Sequence, residues 1–365
     1  MMNVLILTGR FGLGHYSTAL SLKQEIQGQI EDANVQIVDI VDYIIPKLGG
    51  IVYSSFNVLV RRANKLYNFF YKNTTDLDFN INMPFPNILI EKIEDLIYND
   101  KPDIIISTLP FCSRIVSKYK EKTNSNLPLI TCITDISVHN EWINPQTNLY
   151  LVATETVKAN LIKNGTKAED IAVIGIPVKD QFKDISIYEN KNNRYTKNLL
   201  IMGGGLGLIP FHKDFYSRLN KIRNLYVTVI MGKNEKAYNK LAGKYGNIEV
   251  IGYTNKVHEY MANADLLISK AGGITVFEAI HAELPILALC PFLEQERNNA
   301  YFIEEKNIGE VLWDKNEDIV ERVLKLIYNE TRLMTMEENM KQIKSNINAH
   351  LVLDMIDKIK SYEVA

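Results

Sequence analysis

The chain has 365 residues, 46% hydrophobic and 23% charged, with a formal net charge of −2. That length suits two packed domains rather than one, and the near-neutral balance gives no general support for nucleic-acid binding. No apolar run approaches the roughly 18–20 residues of a membrane-spanning helix, and the opening MMNVLILTGR reads as a strand, not a secretory leader, so a cytoplasmic protein is expected.

Short runs rich in Val and Ile predict strands near 4–7, 35–38, 104–107, 129–134, 149–153 and 171–174, with helices over stretches such as 16–29 and 154–164. A polar stretch at 180–197 reads as a linker or loop. The scheme then repeats, with strands near 199–202, 226–231, 248–251, 266–269 and 286–289. Continuously apolar short strands alternating with helices predict parallel sheets covered on both faces. Two doubly wound α/β domains of Rossmann type are expected, 1–178 and 179–347, facing a cleft. A helix over about 348–365 is expected to pack back on the first. Cys112, Cys132 and Cys290 lack CxxC or Cys/His spacing; each is expected to be a buried thiol, without disulfide or zinc.

Three glycine-rich turns follow predicted strands. Gly12-Leu13-Gly14-His15 lies between the first strand and first helix. Such a turn lets N–H groups approach a ligand, and a neutral imidazole there can take a proton from a hydroxyl. The bland reading is a tight turn; the dinucleotide fingerprint is incomplete, and Asp39 is only a weak ribose ligand. Gly203-Gly204-Gly205-Leu206-Gly207 can wrap an anion but lacks the Gly-Lys-Ser/Thr of a P-loop. SKAGGITVFEA at 269–279 is the strongest. A strand ends there, Gly272 and Gly273 turn, Thr275 can cap a helix whose N–H groups bind phosphate, and Glu278 could accept ribose hydroxyls or simply face the helix dipole. EQERNN at 294–299 opens another helix after a strand.

These blocks, together with Thr134-Asp135…His139, resemble the MurG-like (family 28) glycosyltransferases. Within them the likeness is greatest to monogalactosyldiacylglycerol synthases and processive diacylglycerol glucosyltransferases, from Met2 to about Trp313. The resemblance implies a GT-B fold and an inverting transfer of a hexose from a UDP-sugar to diacylglycerol or a glycosyl-diacylglycerol, with no essential metal or other cofactor. It implies His15 and Asp135 as catalytic groups, with Gly12, Gly14 and His139 on the acceptor side. For the donor it implies Gly203, Gly204, Gly205, Gly272, Gly273 and Thr275 at the diphosphate, Glu278 at the ribose and Tyr253 with Thr254 near the uracil; Lys270, also on the donor side, either assists at the departing diphosphate or binds a carboxylate of the protein. Gln295 and Glu296 would read the sugar hydroxyls, and Asn299 on the same helix start would also lie on the donor side. Two departures stand out: Arg10 lies where plant-like members carry an acid, and Glu294 replaces the glycine usual before Gln-Glu.

Residues 43–75 contain Lys47, Arg61, Arg62, Lys65 and Lys72 and no acid, with apolar residues at helical spacing. Either a core-facing helix with a solvated basic side or a membrane-surface helix fits. With the resemblance, Phe56, Arg61, Arg62, Lys65, Phe69 and Phe70 are expected to contact an anionic membrane, peripheral on its inner face. Asp76-Leu77-Asp78 reads as a surface loop. The rival functions are a UDP-sugar 2-epimerase of the same fold, a non-catalytic nucleotide-sugar sensor and, weakest, a dehydrogenase.

Overall fold

The computed structural model describes residues 2–11, 14–54, 86–137, 139–183, 195–205, 207, 209 and 213–347. It contains two compact units, one of Met1–Asp180 with Leu293–Gln295 and one built from Gln181–Phe292 with Glu296–Asn346.

In the first unit the order is β1 (Met2–Thr8), α1 (Gly14–Gln29), β2 (Ala33–Asp39), α2 (Ile40–Ile44), α3 (Pro86–Asp100), β3 (Ile104–Ser107), α4 (Pro110–Thr123), β4 (Leu129–Cys132), β5 (Leu149–Val152), α5 (Glu155–Lys163) and β6 (Ile171–Val173). All six strands run parallel in the order β2-β1-β3-β4-β5-β6. Strands β3, β4 and β5 are buried at every position, as expected where helices cover both faces. Alternation along the strand splits the core: Val4, Ile6, Ile104 and Ile106 pack with Leu22 and Ile26 of α1 on one face. Leu5, Leu7 and Ile105 pack with Ile93 of α3 and Ile115 of α4 on the other. Each such side chain removed from water contributes roughly 1.5–3 kcal/mol.

The chain continues through α6 (Asp180–Lys183), β7 (Lys197–Met202), α7 (Lys213–Leu219), β8 (Leu225–Ile230), α8 (Glu235–Leu241), β9 (Ile248–Ile251), α9 (Val257–Asn263), β10 (Leu266–Ser269), α10 (Gly273–His281), β11 (Ile286–Ala288), α11 (Glu294–Glu305), β12 (Gly309–Val311), α12 (Ile319–Ile327) and α13 (Glu330–Ser345), and the second unit is built on β7–β12. Its parallel sheet has the order β12-β11-β10-β7-β8-β9. In each sheet the first strand sits inside the order, so the chain reverses direction beside it: at β1/β3 in the first and β7/β10 in the second. Ligands of open α/β sheets bind beyond the carboxyl ends of the strands at such a reversal.

Three expectations change. Strand β12 was not anticipated. Helix α10 begins at Gly273 with Gly272 as its cap residue, and no side chain caps it; Thr275 therefore lies inside the first turn. Cys112 and Cys132 are fully buried, but Cys290 is only partly so: it lies past the end of β11, where its thiol donates to the Trp313 carbonyl at 3.4 Å.

Candidate active site

At the first sheet's reversal point, His15 lies in the opening turn of α1 and meets the ends of β3 and β4. Its Nδ1 is 2.8 Å from the Thr108 carbonyl oxygen and 2.9 Å from Thr134 Oγ1. A carbonyl only accepts, so the proton sits on Nδ1 and the lone pair on Nε2. The Thr108 hydroxyl lies 3.0 Å from the His15 carbonyl oxygen and 2.8 Å from Thr8 Oγ1, so Thr108 holds both ends of the residue. Loss of hydration pushes the imidazole pKa down to about 4, against a smaller opposing effect of the Thr108 carbonyl. The ring is therefore neutral at physiological pH, the form a general base requires.

Asp135 follows β4. Burial raises its pKa to about 6; the Trp142 indole N–H opposes the rise and the charge of Glu141 adds to it. Trp142 is 1% exposed, and its ring centroid lies 6.2 Å from that of His15, so one indole adjoins both predicted catalytic groups. Sequence reasoning missed it; a tryptophan seven residues after Asp135 was the only available signal. His139 is buried, and its Nδ1 accepts from the Glu141 N–H at 3.3 Å, capping the 3-10 turn Asn140–Trp142. Gly14 opens α1; Gly12 lies outside the described residues.

Arg10 and Asp39 serve each other. Arg10 Nε donates to Asp39 Oδ2 at 2.9 Å, and a second guanidinium nitrogen bonds Asp42. Asp39 Oδ1 caps α2 through Val41 and Asp42 and accepts from the Tyr53 hydroxyl at 2.5 Å. With its oxygens committed, Asp39 is not placed to read a ribose.

At the second sheet's reversal point the glycine loop follows β7 and the Lys270–Gly272 turn follows β10. Gly204 and Gly207 have φ of +67° and +59°, and a Cβ on Gly207 would collide with the Met231 carbonyl. The loop thus packs directly on the turn after β8, where the Lys233 N–H donates to the Gly205 carbonyl at 3.1 Å. Gly273 and Thr275 lie in the first turn of α10, and Glu278 in its second. Helix α10 has no side-chain cap, so its leading N–H groups are suited to an anion. Tyr253, 66% exposed, has Lys233 Nζ 5.7 Å from its ring centroid, and Thr254 Oγ1 accepts from the Lys256 N–H at 3.0 Å.

Helix α11 brings its own residues to the same turn. Gln295 and Glu296 lie in its first turn. Lys270 Nζ is 2.9 Å from Glu296 Oε1 and 5.7 Å from the Phe292 ring centroid. Asn299 Nδ2 donates to the Ala271 carbonyl at 2.9 Å. The structure therefore gives Lys270 a protein carboxylate as its partner and spends the Asn299 amide on the loop. Phe56, Arg61, Arg62, Lys65, Phe69, Phe70, the Asp76–Asp78 loop and the 348–365 helix lie outside the described residues.

Residues 15–178 match the monogalactosyldiacylglycerol (MGDG) synthase family, and residues 198–351 match the glycosyltransferase family 28 C-terminal domain. Over 364 residues the chain is 30% identical to the processive diacylglycerol beta-glucosyltransferase of Bacillus cereus (strain G9842), covering 97% of this chain and 92% of that protein. MurG of Acinetobacter baumannii superposes with a TM-score of 0.66 at 14% identity, covering 98% of this chain and 100% of its own. The UDP-GlcNAc 2-epimerase of Neisseria meningitidis, solved with UDP-GlcNAc, gives 0.61 at 17% identity over 98% and 100%. These two likenesses establish the shared two-sheet architecture.

Proposed function

The chain belongs to the family of the processive diacylglycerol beta-glucosyltransferases, and we propose that it transfers a hexose from a UDP-sugar to diacylglycerol or a glycosyl-diacylglycerol at a membrane surface. On the structural side His15 carries the reading: a neutral imidazole fixed through Nδ1–H, with its basic nitrogen Nε2 left for a hydroxyl. As the acceptor oxygen bonds the anomeric carbon, its proton passes to Nε2 and the carbon–oxygen bond to UDP breaks, inverting the anomeric configuration. The bond's electrons leave on the diphosphate. Backbone N–H groups of Gly203–Gly205 and of the start of α10 would stabilise that charge without an essential metal. Glu278 at the ribose, Tyr253 and Thr254 near the uracil and Gln295 with Glu296 at the hexose complete the donor assignment.

Fold alone does not separate a transferase from the 2-epimerases, which share it; the full-length relatives do. Membrane contact is supported by the described start of the basic segment, where Leu48 and Ile51 are 52% and 62% exposed beside exposed Lys47. Among the described residues no helix is long and apolar enough to cross a membrane; a peripheral position on the inner face of the cell membrane is part of the proposal.

The test is UDP release from UDP-glucose and from UDP-galactose, with and without diacylglycerol in anionic vesicles. Lipid-dependent release is expected, falling roughly 10²–10⁴-fold in His15→Ala while UDP still binds. Release that ignores lipid, or a His15→Ala protein that turns over normally, overturns the reading.

A further inference from the structure

We propose that Lys270 is a positioning residue for the donor's hexose: it anchors the carboxylate of Glu296, and does not bind the diphosphate. The inference rests on the donor-binding reading above. A lysine between a strand end and a glycine turn at a helix N-terminus would ordinarily be given to the phosphates, since a cation beside free N–H groups adds to the same anion site. The geometry points elsewhere. Lys270 Nζ lies 2.9 Å from Glu296 Oε1 and 5.7 Å from the centre of the Phe292 ring, so a carboxylate and an aromatic face share its charge.

Glu296 needs that partner. Its side chain is 8% exposed, and a carboxylate so far from water persists only when paired and hydrogen-bonded. One oxygen is held by the ammonium; among the described residues the other, Oε2, has no hydrogen-bond partner, which leaves it to accept from a sugar hydroxyl. A second contact fixes the helix that carries it. Asn299, three residues on and hence on the same face of α11, donates to the carbonyl of Ala271, the residue after Lys270. Two consecutive residues of the loop thus grip two residues of one helix face and set the depth and rotation of its first turn. Without the ammonium, Glu296 loses its fixed direction, and what suffers is recognition of hydroxyls on the hexose. The nucleotide, which the glycine loops and α10 hold, is spared.

Calorimetric titration of the full chain with UDP and, separately, UDP-glucose tests this in the wild type and in Lys270→Met, Lys270→Arg, Glu296→Gln and the double variant Lys270→Met/Glu296→Gln. Lys270→Met is expected to weaken UDP-glucose by roughly 10-fold or more while leaving UDP within about 3-fold. Lys270→Arg should recover most of the loss, and the double variant should be little worse than either single one, as coupled residues require. In turnover, KM for UDP-glucose should rise more than kcat falls. Equal weakening of UDP and UDP-glucose would make Lys270 a diphosphate ligand and overturn the proposal, as would unchanged affinity for both. Should Lys270→Met fail to fold, Glu296→Gln carries the same split between the two ligands. A wild type that binds neither ligand instead removes the donor reading itself.

Discussion

Asp135→Asn should make the protein more stable and less active. In the folded chain burial raises the Asp135 pKa from 3.8 to about 6, so above pH 6 the folded state carries a carboxylate it would rather protonate. At about 1.4 kcal/mol per pKa unit the ionised form is disfavoured by about 3 kcal/mol, an upper figure because the residue is only partly buried. Asparagine keeps an oxygen to accept the Trp142 indole N–H and never ionises. The sign is fixed by linkage: the cost is fully present above the folded pKa, shrinks as pH falls through about 6, and vanishes below 3.8. Thermal unfolding at pH 7.5 should therefore rise by roughly 3–8 °C, the equivalent of about 1–2 kcal/mol. The rise should diminish steadily towards pH 4, while lipid-dependent UDP release drops. A variant destabilised equally at both pH values would refute the argument and make Asp135 an ordinary structural acceptor. Stability gained together with activity lost is what a group held in a costly state for chemistry should show.

Two more expectations concern the second unit. Gly207→Ala places a Cβ against the Met231 carbonyl at a φ of +59° and should cost at least about 2 kcal/mol; Gly204→Ala, at +67° with open space around it, should cost only about 1–2 kcal/mol. Comparing their thermal unfolding and UDP affinity checks whether loop packing or backbone freedom dominates. His281, buried at the end of α10, has its pKa pushed down to about 4, first by burial and then by the charges of Lys344 and Lys183. Folding is thus favoured above 6.5, the unfolded value, and that advantage is lost as pH falls towards 4. Between pH 7 and 5 the wild type should lose about 2 kcal/mol that His281→Gln does not, measured by guanidinium unfolding at both pH values.

Much of the fold is legible because its signals are local. Runs such as Ile104–Ser107 and Leu266–Ser269 are short, apolar and bounded by polar residues, and they are strands with the predicted ends. Gly309–Val311 escapes notice because three residues with a central glutamate carry no period; only pairing with β11 makes them a strand. The same limit applies to the site. Glycine turns mark where a ligand can approach, but the Lys270–Glu296 pair spans 26 positions and the Arg10–Asp39 pair 29, and nothing local announces either. Thr275 has the chemistry of a cap and misses the position by three residues, because the cap position falls on Gly272 and the helix begins at Gly273. Trp142 is invisible as a functional residue until folding brings it beside His15 and Asp135.

The tautomer of His15 is set by a main-chain oxygen, that of Thr108, and main-chain atoms survive every substitution. The Thr108 and Thr134 hydroxyls can be lost by single mutations, but the instruction that keeps the proton on Nδ1 cannot. It persists so long as β3 stays in register beside β1, a pairing that the apolar residues Val4–Ile104 and Ile6–Ile106 enforce. Side-chain substitutions around the histidine that keep this register therefore leave its polarity unchanged, since the orientation of the base comes with the sheet.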